Sequence, residues 1–268
     1  MRPSPGTEGR IFMNKEAYQT QKPQVIPLLV CGAPDLATTK ELIVELSKNG
    51  APRIELEIPF SDPIAENPIT QTASVLALKA ETTVDAIFEM MQQVREETNI
   101  PVFFTTYANV LFSYGTEPFA QKCAQVQADA VVLKDVPFEE KEEFESVFKK
   151  YGIYFIRQLT PTSKSRIAMI AQGADGFLDC FSSLSAPKTI QAIAEEIQQV
   201  VQTAKQVQNT RPCLVETDLN APDQIAQLAP LADGIILNTG IIEWIVKDPQ
   251  NCVQNAIKYY QTILEKLA

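Results

Sequence analysis

The chain has 268 residues, with 23 Lys and Arg against 33 Asp and Glu, a net charge of −10 and no His. This acidity makes it a poor electrostatic partner for nucleic acid and for anionic lipid, and the lack of His excludes every histidine-based triad or metal site. No apolar run approaches the roughly 18 residues of a membrane span. Five widely spaced Cys favour reduced thiols in a cytoplasm over a disulfide scaffold.

Strand and helix patterns alternate along most of the chain. Residues 1–20 contain Pro, Ser and Gly and no long apolar stretch, which predicts a flexible leader. Eight apolar and β-branched runs predict strands at 25–31, 53–58, 102–107, 130–134, 153–158, 176–181, 212–216 and 234–238. Amphipathic intervals predict helices at 36–48, 84–98, 117–126, 139–151, 163–172, 188–207, 222–229 and 251–267. Extra helical turns are predicted after the second strand and after the eighth, at 71–79 and 239–246.

Eight strand–helix units in about 240 residues are typical of one architecture, the α/β fold known as the (β/α)8 or TIM barrel. We predict it as a single domain over residues 21–268, with a doubly wound open sheet as the alternative. In such a barrel the functional side chains lie at the carboxyl ends of the strands. We therefore expect a small-molecule site at that mouth.

The most informative segment is the second predicted strand with its following loop, residues 55–68, which read ELEIPFSDPIAENP. Alternate side chains of a strand share a face, so Glu55 and Glu57 point together, opposite to Leu56 and Ile58. In a barrel the apolar pair faces the helices and the glutamates face the interior. A buried carboxyl must be paired or have a shifted pKa, and a raised pKa makes it a candidate general acid.

This segment resembles the strand-two motif of the tryptophan synthase alpha chain family, ELGIPFSDPLADGP. Residues 58–63 are identical to that motif. The resemblance continues in TYAN at 106–109, in Phe112 and Gly115, and in DVP at 135–137, with weaker similarity over most of the remaining chain. The fold that this resemblance implies is again the TIM barrel.

The resemblance implies a carbon–carbon lyase of tryptophan biosynthesis. The family cleaves indole-3-glycerol phosphate, in a retro-aldol reaction, to indole and glyceraldehyde 3-phosphate. The catalytic acid and base then fall on Glu55 and on Glu66, which stands where the family has aspartate. The family's alpha chain works without a cofactor or metal of its own. The substrate-binding positions implied here are Tyr107, Asp179, Ser185, Lys188, Glu216, Asp218, Asn238 and Thr239.

The resemblance also implies a protein partner. In the family, indole passes to a beta subunit that carries pyridoxal phosphate, and loops of the alpha chain contact that subunit. The matching loop residues are intact here. They are Pro59, Asp62, Pro63, Asn109, Phe112 and Pro137. The alternative is that these Pro and Asn residues simply shape their turns.

The chain departs from the family where the substrate phosphate binds. The family's glycine-rich loops after strands six, seven and eight offer backbone N–H groups to that phosphate. The matching segments here are LSAPK at 184–188, ETD at 216–218 and NT at 238–239, without glycine. A carboxylate about 4 Å from a phosphate costs about 4 kcal/mol at an effective dielectric constant near 20. We therefore expect a phosphate site much weaker than the family's, with Lys188 as a partial compensation.

New charges also stand at neighbouring strand ends, at Glu57, Lys134, Arg157 and Asp179. One interpretation pairs Glu57 with Lys134 and Asp179 with Arg157, which would fill space that an indole ring needs. The alternative is a carboxylate site for Mg²⁺, Ca²⁺ or Mn²⁺. Its ligands would come from Glu55, Glu57, Asp179, Glu216 and Asp218.

Two functions therefore remain open at this stage. In the first, the chain is a lyase of the family type, with Glu55 and Glu66 as its acid and base. In the second, it is a diverged relative with weak or no lyase activity that binds or regulates a partner, or takes a non-phosphorylated ligand. The retained strand-two segment favours the first, and the lost glycines favour the second.

Overall fold

The computed structural model describes residues 23–181, 189–207 and 211–268. Within these residues, parallel strands pair in chain order and the last pairs with the first, so that the sheet closes. The strands are β1 Gln24–Val30, β2 Ile54–Glu57, β3 Val102–Thr106, β4 Ala130–Leu133, β5 Tyr154–Leu159, β6 Leu178–Phe181, β7 Cys213–Thr217 and β8 Gly234–Leu237. The TIM barrel prediction is confirmed. The open-sheet alternative is wrong, because β1 hydrogen-bonds to β8 from the Gln24–Gly234 pair onward.

Helices cover the outside of the barrel. They are α1 Leu36–Lys48, α2 Pro68–Lys79, α3 Val84–Glu97, α4 Ala108–Tyr114, α5 Thr116–Gln125, α6 Glu142–Lys150, α7 Ile167–Ala171, α8 Ile190–Val207, α9 Pro222–Leu228, α10 Gly240–Lys247 and α11 Cys252–Lys266. The predicted extra helices after the second and eighth strands are α2 and α10. Helix α4 was not predicted.

Two predicted helices are shorter than their sequence patterns. The helix predicted at 139–151 is a 3-10 turn, Phe138–Glu140, followed by α6. The helix predicted at 163–172 begins as a 3-10 segment, Pro161–Arg166, in which Lys164 has a φ of 43°, and α7 follows it. The left-handed backbone at Lys164 interrupts the helical hydrogen-bond ladder there, because L-residues in that conformation cannot continue a right-handed helix.

The alternation predicted for β2 is present. Leu56 and Ile58 are buried in the apolar layer. Glu55 and Glu57 are each 1% exposed and interact electrostatically with groups across the barrel, so both side chains point inward. Phe103 pairs in register with Glu55, and its ring packs 5.1 Å from that of Phe177. The interior thus combines an aromatic layer with carboxyl groups.

Several sequence predictions lie outside the described residues. They are the leader at 1–20, the glycine-poor segment at 184–188, and within it Ser185 and Lys188. Within the described ranges, no helix is long and apolar enough to cross a membrane. All five cysteines are free and buried.

Candidate active site at the barrel mouth

One lysine lies among carboxyl groups that come from several strands. The Lys134 Nζ atom is 2.7 Å from Glu66 Oε1 and 3.3 Å from Glu216 Oε1. It is also 3.6 Å from Glu57 Oε2, so the predicted Glu57–Lys134 pair is confirmed as part of a larger group. We call the group the acid cluster. Its members are Glu55, Glu57, Glu66, Asp179, Glu216 and Lys134.

Lys134 holds the positive charge of this cluster. Its side chain is only 1% exposed. Burial lowers the pKa of Lys134, but the surrounding glutamates raise it more, so the net pKa is well above the usual range. The ammonium group therefore keeps its proton. It is an ion-pairing group and not a nucleophilic amine.

The predicted pair between Asp179 and Arg157 is wrong. Arg157 Nη2 lies 3.1 Å from Glu145 Oε1, and its Nη1 donates to the carbonyl oxygen of Gln172 at 2.7 Å. The register of β5 against β6 explains this, because it sets Gln158 opposite Asp179. The Gln158 Nε2 atom donates to Asp179 Oδ2 at 2.9 Å. Arg157, one residue earlier, points outward to the helices.

Glu55 is the least satisfied member of the acid cluster. Both of its carboxyl oxygens are buried, and neither has a hydrogen-bond partner among the described residues. Burial raises the pKa of Glu55 well above its usual range; Lys134 lowers it, and the carboxyl groups of Asp179 and Glu57 raise it further. This surrounding favours the protonated carboxyl. Glu55 is thus suited to donate a proton.

Glu66 has the opposite surrounding. Its Oε1 atom accepts a hydrogen bond from the Tyr107 hydroxyl at 3.1 Å, in addition to the contact with the Lys134 ammonium. Tyr107 is itself fixed, because its hydroxyl accepts from the Ala65 N–H at 3.1 Å and its ring stacks on Phe60 at 5.1 Å. The hydroxyl and the ammonium group thus fix Glu66 Oε1 in place, while Glu66 Oε2 is buried without a hydrogen-bond partner among the described residues. Glu66 is thereby positioned as the candidate base.

The remaining buried carboxyl groups also favour protonation. Burial raises the pKa of Glu57 to about 8, with Glu66 adding to the shift and Lys134 opposing it. Burial raises the pKa of Asp179 to about 6, against the hydrogen bond from Gln158. Burial also holds the pKa of Glu216 well above its usual range. One ammonium group can therefore stand among five carboxyl groups, because several of these carry protons.

A second set of polar side chains joins the ends of β7 and β8 to the start of α2. The Asn238 Nδ2 atom donates to Glu216 Oε1 at 2.8 Å and to Asp218 Oδ1 at 3.0 Å. The Asn67 Nδ2 atom donates to Asp218 Oδ1 at 2.8 Å and to Thr239 Oγ1 at 3.2 Å. We call these five residues the strand-seven network. Four of them are predicted substrate-binding positions, and the structure brings them together.

Asn67, the remaining member of the network, was not predicted as a site residue. Its Oδ1 atom accepts from the N–H groups of Ile69 and Thr70 and so caps helix α2. An Asn followed by Pro68 is a helix-start signal that the sequence contains. This signal predicts that Asn67 caps the helix. The contact of the same side chain with Asp218 is not predicted, because it depends on how closely the end of β7 approaches the loop after β2.

The metal-site alternative has no support in the geometry. In the part of the chain that the structure describes, no group of three or more Cys, Asp or Glu side chains is arranged to hold a metal ion. The Lys134 ammonium stands among the carboxyl groups that the alternative assigns as ligands. A cation of the protein itself therefore occupies the centre of that site.

The residues matched to partner contacts have different exposures, and two of them, Asn109 and Phe112, lie in α4 and not in a loop. Pro63 is half-buried, and Pro59 is buried, so the Pro59 ring shapes the turn and is not available at the surface. The neighbouring Ile64 is 83% exposed. The remaining four matched residues are exposed; they are Asp62, Asn109, Phe112 and Pro137.

Comparisons with known proteins agree with the architecture. The tryptophan synthase alpha chain model matches residues 14–267. The chain is similar to the tryptophan synthase alpha chains of Lacticaseibacillus casei (34% identical, over 94% of this chain and 92% of the relative) and Alkaliphilus metalliredigens (32%, over 90% and 91%). It is similar to the crystal structure of the alpha subunit from Legionella pneumophila, with a TM-score of 0.84 and 29% identity over 95% of this chain and 98% of that one. A tryptophan synthase complex structure from Pyrococcus furiosus shares the fold, with a TM-score of 0.81 and 22% identity over 91% and 98% of the two chains.

Proposed function

The chain belongs to the tryptophan synthase alpha chain family, and on that basis we propose that its barrel mouth catalyses the family's retro-aldol cleavage. The substrate is indole-3-glycerol phosphate or a related indole-glycerol compound. The products are indole and a three-carbon aldehyde. Glu55 acts as the acid and Glu66 as the base.

One observation carries this proposal, which is the contrast between the two carboxyl groups. Glu55 is buried without a donor, whereas Glu66 contacts the Lys134 ammonium at 2.7 Å and the Tyr107 hydroxyl at 3.1 Å. A buried carboxyl group with a raised pKa, close to a second carboxyl group that is held by a cation and a hydroxyl, is an arrangement that acid–base catalysis uses. Lys134 is a positioning residue in this scheme, because it acts through Glu66.

The proposed steps balance in protons and electrons. Glu55 protonates the ring carbon that carries the glycerol chain, and Glu66 removes the indole N–H proton. The carbon–carbon bond then breaks, and its electron pair moves into the ring. The chain hydroxyl gives its proton to Glu55 and becomes the aldehyde, and Glu66 returns its proton to the ring nitrogen. Both carboxyl groups end as they began.

Indole release tests this proposal directly. The purified full-length chain is incubated with indole-3-glycerol phosphate and separately with unphosphorylated indole-3-glycerol, and indole is quantified over time. We expect indole from at least one compound, at a rate proportional to protein concentration. If neither compound yields indole, alone or with a tryptophan synthase beta subunit present, the lyase proposal is wrong.

We also propose a beta subunit as the protein partner of this mouth. Phe112 is 54% exposed on α4, where Asn109 is exposed as well, and Ile64 is 83% exposed on the loop after β2. Phe112 stands at one of the family's contact positions and Ile64 is next to another, Pro63, so two exposed apolar side chains support this partner.

A single charge on α4 tests the interface. We expect Phe112→Asp to weaken binding of a beta subunit by about tenfold or more, because the charge would have to be buried in the complex. Met169→Asp, at an apolar residue of α7 that is 41% exposed, is the matched control. Binding is measured by titration calorimetry. Equal affinity for both variants contradicts this interface.

The acid cluster favours a second function. Lys134 with its carboxyl partners fills the inner mouth, and Asp218 stands in a loop where the family has glycine. These features support a diverged relative that binds a partner or another ligand without lyase activity. A complex with the beta subunit, combined with no indole from either compound, would favour this second function.

A further inference from the structure

The strand-seven network lies where the resemblance to the family places the substrate phosphate, yet its side-chain amide donors are already used. Both contacts of the Asn67 amide nitrogen and both contacts of the Asn238 amide nitrogen go to oxygens of the protein. A phosphate group has only acceptors to offer and needs donors. The network instead presents Asp218, an acidic side chain at the exposed rim of the mouth.

The same network contains a buried carboxyl oxygen that is unsatisfied within residues 23–181, 189–207 and 211–268. Glu216 is 1% exposed, and its Oε2 atom makes no hydrogen bond within the described residues. Its other carboxyl oxygen is bound by the Asn238 amide at 2.8 Å. A ligand hydroxyl group can donate to such an oxygen or accept from it, so it can satisfy this position in either protonation state of the carboxyl group.

The glycine nearest to this network, Gly240, has a packing role. Gly240 begins α10, directly after Thr239. A Cβ atom at Gly240 would lie 2.0 Å from the Tyr259 hydroxyl oxygen, so the glycine is required by this close packing. The Tyr259 hydroxyl donates to the carbonyl oxygen of Asn220 at 2.9 Å, which fixes it in place.

We propose that the strand-seven network makes this chain selective for an unphosphorylated substrate, indole-3-glycerol, whose terminal hydroxyl donates to Asp218. The inference rests on the proposed lyase function and names its substrate class. The reaction then gives indole and glyceraldehyde. One carbon–carbon bond breaks, the ring carbon gains a proton and the chain hydroxyl loses one, so no oxidant or phosphate donor is needed.

The test compares the two substrates at pH 8, in turnover and in binding. We expect kcat/KM for indole-3-glycerol to exceed that for indole-3-glycerol phosphate by about 100-fold. Asp218→Asn removes the repulsion between the Asp218 carboxylate and the substrate phosphate. The ratio of the two kcat/KM values should then fall to about tenfold or less. Asp223→Asn is the matched control, because it neutralises a carboxylate on α9 that is 76% exposed, and it should leave the ratio unchanged.

Calorimetry measures the binding of the same two compounds, which gives a second comparison if neither is turned over. Tighter binding or faster cleavage of the phosphate compound overturns the inference and leaves the lyase function standing. An unchanged ratio in Asp218→Asn, or no binding of either compound, overturns it as well. Selective binding of indole-3-glycerol without indole release supports the selectivity and refutes the lyase function.

Discussion

The two sides of the barrel mouth differ in how they hold charge. On the side of β2, β3 and β4, Glu55 and Glu66 have contrasting surroundings, and Tyr107 and Lys134 position Glu66. On the side of β7 and β8, the Asn238 amide donates hydrogen bonds to the carboxyl groups of Glu216 and Asp218. In our proposals the first side moves protons and the second selects the ligand. On that basis this chain keeps the family's chemistry on one side of the mouth and changes recognition on the other.

Glu55→Gln gives the largest expected effect, on the first side. We expect indole release to fall about 1000-fold, because the amide cannot donate a proton to the ring carbon. The unfolding free energy should change by less than about 1 kcal/mol, since the amide resembles a protonated carboxyl in shape and charge. Glu89→Gln, at an exposed residue of α3, is the control. Substantial indole release by Glu55→Gln would remove Glu55 from the mechanism.

Lys134→Met removes the lysine that forms ion pairs with Glu66 on the first side and with Glu216 on the second. Both carboxyl groups then lose their cationic partner. Breaking a buried ion pair in this way costs about 3–5 kcal/mol of unfolding free energy. Urea denaturation measures the loss. Lys205→Met removes a partly exposed pair with Asp233 and should cost less than about 1 kcal/mol. Equal losses in the two variants would mean that the central ion pairs contribute little.

The pH dependence of stability gives a smaller effect on the first side. The pKa of Glu57 is about 8 in the folded chain, against an ordinary value of 4.5 for a glutamate in water, so the native state binds more protons than the unfolded state between these values. Stability should therefore fall as the pH rises from about 4.5 to about 8.

We expect the wild type to lose about 3 kcal/mol more than Glu57→Gln between pH 5 and pH 8, because the amide does not titrate. Urea titrations at several pH values measure this difference. The neighbouring Asp179 has a pKa of about 6. Its titration should lower the stability of both proteins at pH values below about 6, so it does not contribute to the difference between them. Parallel curves for wild type and Glu57→Gln would show that Glu57 is not protonated in the native state.

Much of the fold and part of the site follow from local patterns in the sequence. Period-two alternation places Glu55 and Glu57 inside the barrel, and the motif at 58–63 identifies the family. On β5 the register with β6 puts Gln158, and not Arg157, opposite Asp179, and alternation within one strand does not fix that register. The contact of Glu66 with Lys134 is not readable in this way, since Glu66 belongs to a loop whose path no periodicity fixes.

The sequence by itself determined the barrel, the order of its elements and the residue types at its mouth, because strand period and helix pattern are local properties of the chain. Only the tertiary structure decided the charge state of that mouth. Lys134, Glu57 and Glu216 meet from three different strand ends, and their protonation depends on burial and on distances across the barrel. Desolvation and Coulomb interactions act through space, so residues far apart in sequence set each other's pKa.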